Sequence, residues 1–280
     1  REAPREGDHD PAVGAAGAVS SADTISPPDP ASSDSDNAVE RTAAAIMAGK
    51  RNRGGREPMN ASASDPAGGN EARSASGIRV GVGGWTFEPW RSNFYPEGWP
   101  KDRELEYASR KLSMIEVNGT YYSTQKPATF AKWRGETPDD FVFSLKAHRL
   151  ATNRRALAEA GESIGWFCGS GIAELGPKLG PVVWQFAPTK RFDASDFEAF
   201  LKLLPPEAGG WPLRHVMDVR HESFLVPEYL ALARRYGVAT CFTESDEYPS
   251  FADVTGPFVY ARVMRAAAAQ PEGIAPEVAL

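Results

Sequence analysis

Seven short runs of β-branched and aromatic residues, separated by longer helix-periodic segments, constrain the fold of this chain more than any other feature. They are 79–83 (RVGVG), 113–118 (SMIEVN), 141–146 (FVFSLK), 181–186 (PVVWQF), 214–220 (RHVMDVR), 238–243 (VATCFT) and 258–263 (FVYARV). Between them lie amphipathic stretches at 101–111, 128–136, 162–175, 195–204 and 227–236. Strand and helix in alternation predict a parallel sheet covered by helices. Ser195 with Glu198 three residues on fits a capping box at the start of one helix.

Two parallel architectures compete. A doubly wound sheet would carry a Gly-rich phosphate fingerprint after its first strand, but GVGGWTF misses the GxGxxG spacing. The pattern therefore favours a TIM-barrel-like (β/α) barrel. No eighth strand follows 258–263; an Ala-rich loop leads instead into 272–280, which reads as the opening of a helix. The barrel is expected to be incomplete at that end.

The barrel pattern begins at about Ile78. Residues 1–77 carry no aromatic and few branched aliphatics, and are rich in Ala, Ser, Gly, Asp and Pro. A segment of that composition cannot bury enough apolar surface to offset its ordering entropy, so it reads as a disordered tail. Inside it, 38–50 has helix-forming composition with Asn37 as a potential cap. The domain division is thus 1–77 tail and 78–280 barrel.

Charge and cysteine usage narrow the function classes. A formal net charge of −6 gives no whole-chain basic footprint, which disfavours nucleic acid as a partner while leaving room for a local cationic pocket. No apolar run approaches the ~20 residues needed to span a bilayer, so no membrane association is expected. Cys168 and Cys241 stand far apart and outside any CxxC. That argues against a disulfide scaffold or a thiolate metal site and makes a reducing cytoplasm the simplest location.

In a barrel of this kind functional groups gather at the C-terminal ends of the strands. The second run places Glu116 and Asn118 on one face, opposite Ile115 and Val117, and Thr120, Tyr121 and Tyr122 continue that rim. The third run offers Ser144 and Lys146, then His148. The fourth offers Gln185, the fifth Asp218 and Arg220 followed by His221, the sixth Glu244, and the seventh Tyr260 and Arg262. The first loop, with Trp85, Trp90 and Tyr95, either stacks on a ligand ring or roofs the barrel. Each charge also has a structural reading, with Lys146 paired to Glu116, or Arg220 to Glu244, inside the lumen. Repetition at one height on at least four strands raises the functional reading.

The chemistry follows from the residue types. Lys146, Arg220 and Arg262 suit a phosphate or carboxylate, Glu116 or Asp218 would act as general base, and His221 would donate or relay a proton. A metal-dependent hydrolase or isomerase using Glu116, Asp218, His221 and Glu244 is an alternative, without HxH or HExxH support. A non-catalytic binding module is a third. His215 lies early in its strand and reads as a packed or exposed residue. No cofactor is indicated, and the oligomeric state is not written in the sequence.

The segments GVGGWTFEPWRSNFYPEGWP, IEVNGTYYSTQKPATFAKWRGETPDDFVFSLKAHR, LGPVVWQFAP, MDVRHESF and FVYARVMRA resemble, in order, successive blocks of the YecE-like family, domain of unknown function 72. The resemblance implies a TIM-barrel-like fold with a cleft at the strand ends lined by Trp85, Glu116, Asn118, Thr120, Tyr122, Lys146, Gln185, Asp218, Arg220 and His221. Family members often have Glu where this chain has Asp218. They normally continue with a further helix and a final strand. The family carries no established reaction, so the resemblance implies architecture without chemistry.

Overall fold

A computed structural model describes residues 77–265; the expected tail, its 38–50 helix and the helix opening at 272–280 lie outside the described residues. Nine strands occur there: β1 (Gly81–Gly83), β2 (Met114–Val117), β3 (Val142–Lys146), β4 (Leu179–Gln185), the two-residue strands β5 (Glu207–Ala208) and β6 (Trp211–Pro212), β7 (His215–Asp218), β8 (Ala239–Glu244) and β9 (Tyr260–Val263). β5 and β6 form a separate antiparallel pair. The other seven make one sheet in the order β1-β2-β3-β4-β7-β8-β9, parallel throughout.

Seven α-helices intervene: α1 (Glu104–Lys111), α2 (Gly119–Tyr122), α3 (Pro127–Glu136), α4 (Arg149–Thr152), α5 (Gly161–Cys168), α6 (Ala194–Leu203) and α7 (Pro227–Arg235). The main core forms where their apolar stripes meet the outward strand positions. Ile115, Val117, Phe143, Leu145, Val182, Trp184 and Met217 are buried against Leu105, Phe130, Phe167, Phe200 and Tyr229. Trp184 shows the economy of the packing, since its ring is buried and its Nε1–H donates to His215 Nδ1 at 3.0 Å. His215 Nε2 in turn donates to Pro205 O at 2.9 Å, so this histidine is a packed residue.

The inward positions form a second, smaller core of Val183, Val216, Ala239, Cys241 and Tyr260. Its existence requires curvature. β2 and β9 are five strand steps apart, about 24 Å in a flat sheet at ~4.8 Å per step. Yet the Tyr260 hydroxyl on β9 donates to Glu116 Oε2 on β2 at 2.6 Å. The sheet therefore curls until its far strands touch through their side chains. β1 and β9 end the strand order and share no ladder among the described residues. The result is a curled seven-stranded parallel sheet under helices, and a fully closed TIM barrel is not formed by these residues.

Three expectations are corrected. The helix expected over 162–175 is two: α5 stops at Cys168, and a 3-10 segment, Ile172–Lys178, follows. Gly171 makes the break, with φ at +109° and Pro127 packed so close that a Cβ would sit 2.7 Å from it. The cap of α6 is Asp193, not Ser195, because the helix begins two residues earlier than a cap at Ser195 would place it. Asp193 Oδ1 accepts from Asp196 N at 2.9 Å and from the Ser195 hydroxyl at 2.7 Å. The pairing of Arg220 with Glu244 does not occur. Glu244 shares the outward parity of Thr240, whose hydroxyl meets Tyr229 of α7 at 2.6 Å, and it bonds Arg265.

Candidate functional site

Above the apolar floor of the lumen lies a layer of charge. Glu116 comes from β2, Lys146 from β3, Gln185 from β4, Asp218 and Arg220 from β7 and its extension, and Arg262 from β9; none is more than 7 % exposed. Strand register brings them level, with Glu116 beside Ser144 and Gln185 beside Asp218.

Arg262 joins the two carboxylates. One of its terminal nitrogens lies 2.8 Å from Asp218 Oδ2 and the other 3.2 Å from Glu116 Oε1. Lys146 Nζ stands 3.8 Å from the same Glu116 oxygen. Arg220 donates to Gln185 Oε1 at 2.9 Å and to Asp218 Oδ2 at 3.3 Å. The Tyr260 hydroxyl bridges Glu116 Oε2 and Ser144 Oγ, the latter at 3.0 Å. Three cations thus face two carboxylates, leaving one positive charge in surplus.

Burial pushes the Glu116 carboxyl up, but Arg262, Lys146 and the Tyr260 hydroxyl outweigh it and hold Glu116 below the usual carboxylate range. Asp218 is held down in the same way, burial being overcome by Arg220, Arg262 and Lys146. Burial works against the charge of Arg262, yet the two carboxylates raise its pKa above the ordinary arginine value. Burial and the Glu116 charge push the Tyr260 phenol well up. Glu116, Asp218, Arg262 and Tyr260 are thereby kept in their usual charge states at neutral pH.

The layer is not saturated. Asp218 Oδ1, Arg220 Nε and Asn118 Oδ1 are buried without a hydrogen-bond partner among the described residues. Three of the four carboxylate oxygens are occupied, and Asp218 Oδ1 is the exception.

The remaining residues predicted from sequence fall outside this contact network. The Thr120 hydroxyl is fully buried and donates to Lys146 O at 2.7 Å, with Val117 O at 2.9 Å, so it ties α2 to the end of β3. Tyr122 is half-buried, edge-on to Tyr121, with its carbonyl 3.0 Å from His148 Nε2. Trp85 packs edge-on against Trp133 at 5.3 Å, and Trp90 and Tyr95 are buried in the main core, so this loop roofs the helical layer. His221 Nδ1 accepts from Ser223 N at 3.0 Å and caps a short 3-10 helix. His148 does the same for α4 through Leu150 N.

Sequence reasoning missed Tyr248. This half-buried ring from the β8–β9 loop lies 4.6 Å from the Arg220 guanidinium, over the layer. Nothing in its neighbourhood, DEYPS, distinguishes it from an ordinary loop residue. The metal alternative loses Glu244 to the outer face, and among the described residues no three His, Cys, Asp or Glu gather as potential ligands.

This arrangement of strands and the block order agree with a match of residues 79–277 to a family described as protein of unknown function DUF72. The chain belongs to the DUF72 family. Its curated relatives include the UPF0759 protein YecE of Escherichia coli K12, 29 % identical over 123 residues, which are 43 % of this chain and 42 % of YecE. The UPF0759 protein YunF of Bacillus subtilis is 25 % identical over 158 residues, 54 % of each chain. The matches span about half the length of these relatives. A crystal structure of a DUF72 protein from Thermotoga maritima superposes with a TM-score of 0.52 at 21 % identity, covering 64 % of this chain and 71 % of that one. One from Enterococcus faecalis gives 0.50 at 16 % identity, covering 65 % and 68 %. At those identities the likeness speaks to the DUF72 fold alone. Among the described residues no helix is long and apolar enough to cross a membrane.

Proposed function

We propose that this DUF72 chain binds a small or terminal oxyanion, phosphate or carboxylate, in an enzyme-like site at the strand ends. The observation that carries the reading is the surplus positive charge of the layer, combined with a buried Arg220 Nε–H that has no acceptor. A monoanionic group at that point would neutralise the surplus and take the idle donor. Lys146, Arg220 and Arg262 are the anchoring cations. Access runs past Tyr248, which would lift from Arg220 as the anion enters.

If the bound ligand is also turned over, Asp218 is the better general base of the two carboxylates. Its Oδ1 is uncommitted, whereas both oxygens of Glu116 are held by Arg262, Lys146 and Tyr260. His221 would act as a donor through Nε2, because its Nδ1 is already an acceptor. Asn118 Oδ1 and Asp218 Oδ1 would both accept from a hydroxyl or amine on the ligand.

The test is calorimetric titration of inorganic phosphate and a panel of simple carboxylates into the wild-type chain, Lys146→Met and Arg220→Leu. At least one anion should bind, and each variant should weaken it tenfold or more. Unchanged affinity for every bound anion in both variants would reject the proposal.

A further inference from the structure

An open groove of about 1100 Å³ lies beside the charged layer, between the segment after β3 and the loop after β4. Its walls carry two basic pairs, Arg154-Arg155 and Lys190-Arg191, one from each segment. Lys190 is neutralised by Asp196 Oδ2 at 2.9 Å. The other three are not: among the described residues no carboxylate lies within ion-pair distance of Arg154, Arg155 or Arg191. Arg154 is pinned by uncharged acceptors, donating to Leu150 O at 2.6 Å, Glu159 O at 3.1 Å and Ser163 Oγ at 2.6 Å. Its charge is thus fixed in place yet uncompensated. Arg155 and Arg191 are exposed.

The acidic groups of the groove do not cancel this. Asp196 is spent on Lys190 and on Ala158 N at 3.0 Å. Asp193 is turned into the cap of α6. That leaves Glu159 as the one lining carboxylate without a structural duty, against three unpaired guanidiniums. A fourth feature is neutral: Thr152, in the lining and fully buried, has a hydroxyl without a hydrogen-bond partner.

The groove and the charged layer share a wall. Asn153 lines the groove and its Nδ2 donates to the Tyr121 hydroxyl at 3.4 Å, while the Tyr121 ring lies 5.6 Å from Lys146 Nζ. On the other side, Gln185 of the layer and Ala187 of the groove are two residues apart at the end of β4. A ligand anchored at Arg220 and Arg262 and extending past Tyr121 and Asn153 would meet this cationic groove.

We infer that the ligand of this chain is elongated and doubly anionic, with one oxyanion in the strand-end layer and a second, at the far end of a short linker, held by Arg155 and Arg191. The inference rests on the oxyanion site proposed above and adds the second charge and the linker. Long-range attraction between a dianion and these two surpluses would also speed encounter at low salt.

The probes are straight-chain α,ω-dicarboxylates of four to ten carbons, each paired with the monocarboxylate of equal length, titrated by calorimetry. In the wild type, some dicarboxylate should bind about five- to tenfold tighter than its monocarboxylate partner, with an optimum in chain length. In Arg155→Ala/Arg191→Ala, whose altered side chains make no structural bond, that ratio should fall to about one. Arg220→Leu should weaken both probes of each pair. A ratio near one at every length in the wild type, or a ratio that survives the double variant, overturns the groove assignment and leaves the oxyanion site standing. No binding of any probe or of inorganic phosphate to the wild type overturns both.

Discussion

Replacing Arg262 with methionine tests the logic of the charged layer most directly. The guanidinium has Asp218 Oδ2 at 2.8 Å, Glu116 Oε1 at 3.2 Å and Gln185 Oε1 at 3.3 Å, and it is the salt link between β9 and β2. Methionine keeps much of the apolar stem and removes the charge. Two buried carboxylates then lose a shared counter-ion, a loss of about 3–5 kcal/mol in systems where one member of a buried pair is deleted. For a domain of this size that is a fall of about 6–20 °C in Tm.

The pH dependence has a definite sign. In the native chain both carboxyls sit below their usual range, so their contribution is present above about pH 4 and lost as the pH falls through their folded values. Without Arg262, the largest influence left on Glu116 is burial, which favours its protonated form. The variant's deficit should therefore be greatest near pH 7.5 and shrink toward pH 5. Urea unfolding followed by tryptophan fluorescence at the two pH values measures both quantities. Arg265→Met, at an exposed arginine on Glu244 and Asp246, is the control and should change little. A deficit below about 1 kcal/mol, or one that does not move with pH, would mean that the guanidinium is not what keeps the carboxylates ionised.

Tyr260→Phe preserves the ring but leaves Glu116 Oε2 without its donor, so urea unfolding should register a loss of about 1–3 kcal/mol. Burial pushes the Cys168 thiol up to about 12 and the Cys241 thiol further, so a disulfide reagent at pH 8 should leave the buried Cys241 unlabelled and the half-buried Cys168 only slowly labelled in the native chain, and label both in guanidinium. More than half an equivalent on the native chain within minutes would contradict that burial. Gly171→Ala should destabilise by more than about 1 kcal/mol, since φ is +109° and Pro127 blocks the Cβ. Gly165→Ala, inside α5 with open space around its Cβ, should be neutral or stabilising in the same melts.

The strands were legible because each is short, β-branched and bounded by turn residues, and all seven predicted runs overlap an observed strand. Glu116 was legible as lumen-facing because Ile115 and Val117 flank it, so polar and apolar alternate with the pleat. Glu244 was not. VATCFT alternates nothing, since Thr240 and Thr243 fall on opposite faces and Cys241 and Phe242 also divide, and parity cannot be read from such a run. Thr120 misled for another reason. The chain enters α2 at Gly119, and the change of period turns the hydroxyl from the rim to the backbone of β3. The contact of Arg262 with Glu116 depends on the curl of the whole sheet, which no local pattern encodes.

The lumen of such a sheet is ordinarily filled by branched aliphatic side chains, and the floor here obeys that rule with Val183, Val216 and Ala239. One level higher the rule is broken by five ionised groups and an amide. β1 adds nothing to this layer, since Val82 faces the helices and the inward positions Gly81 and Gly83 carry no side chain. At Gly81 the room is taken up by Met114 of β2, whose Cγ would lie 2.6 Å from a Cβ there. Stability alone gives no reason for the exchange, because a buried ion network recovers roughly what its desolvation costs, and well-packed apolar residues of equal volume do as well or better. A layer built only to hold the sheet together would also be closed in its hydrogen bonds. Here an acceptor on Asp218 and a donor on Arg220 are left idle at full burial, two residues apart on the same strand end, and that pairing of opposite vacancies is what a guest with both an oxyanion and a proton to give would complete.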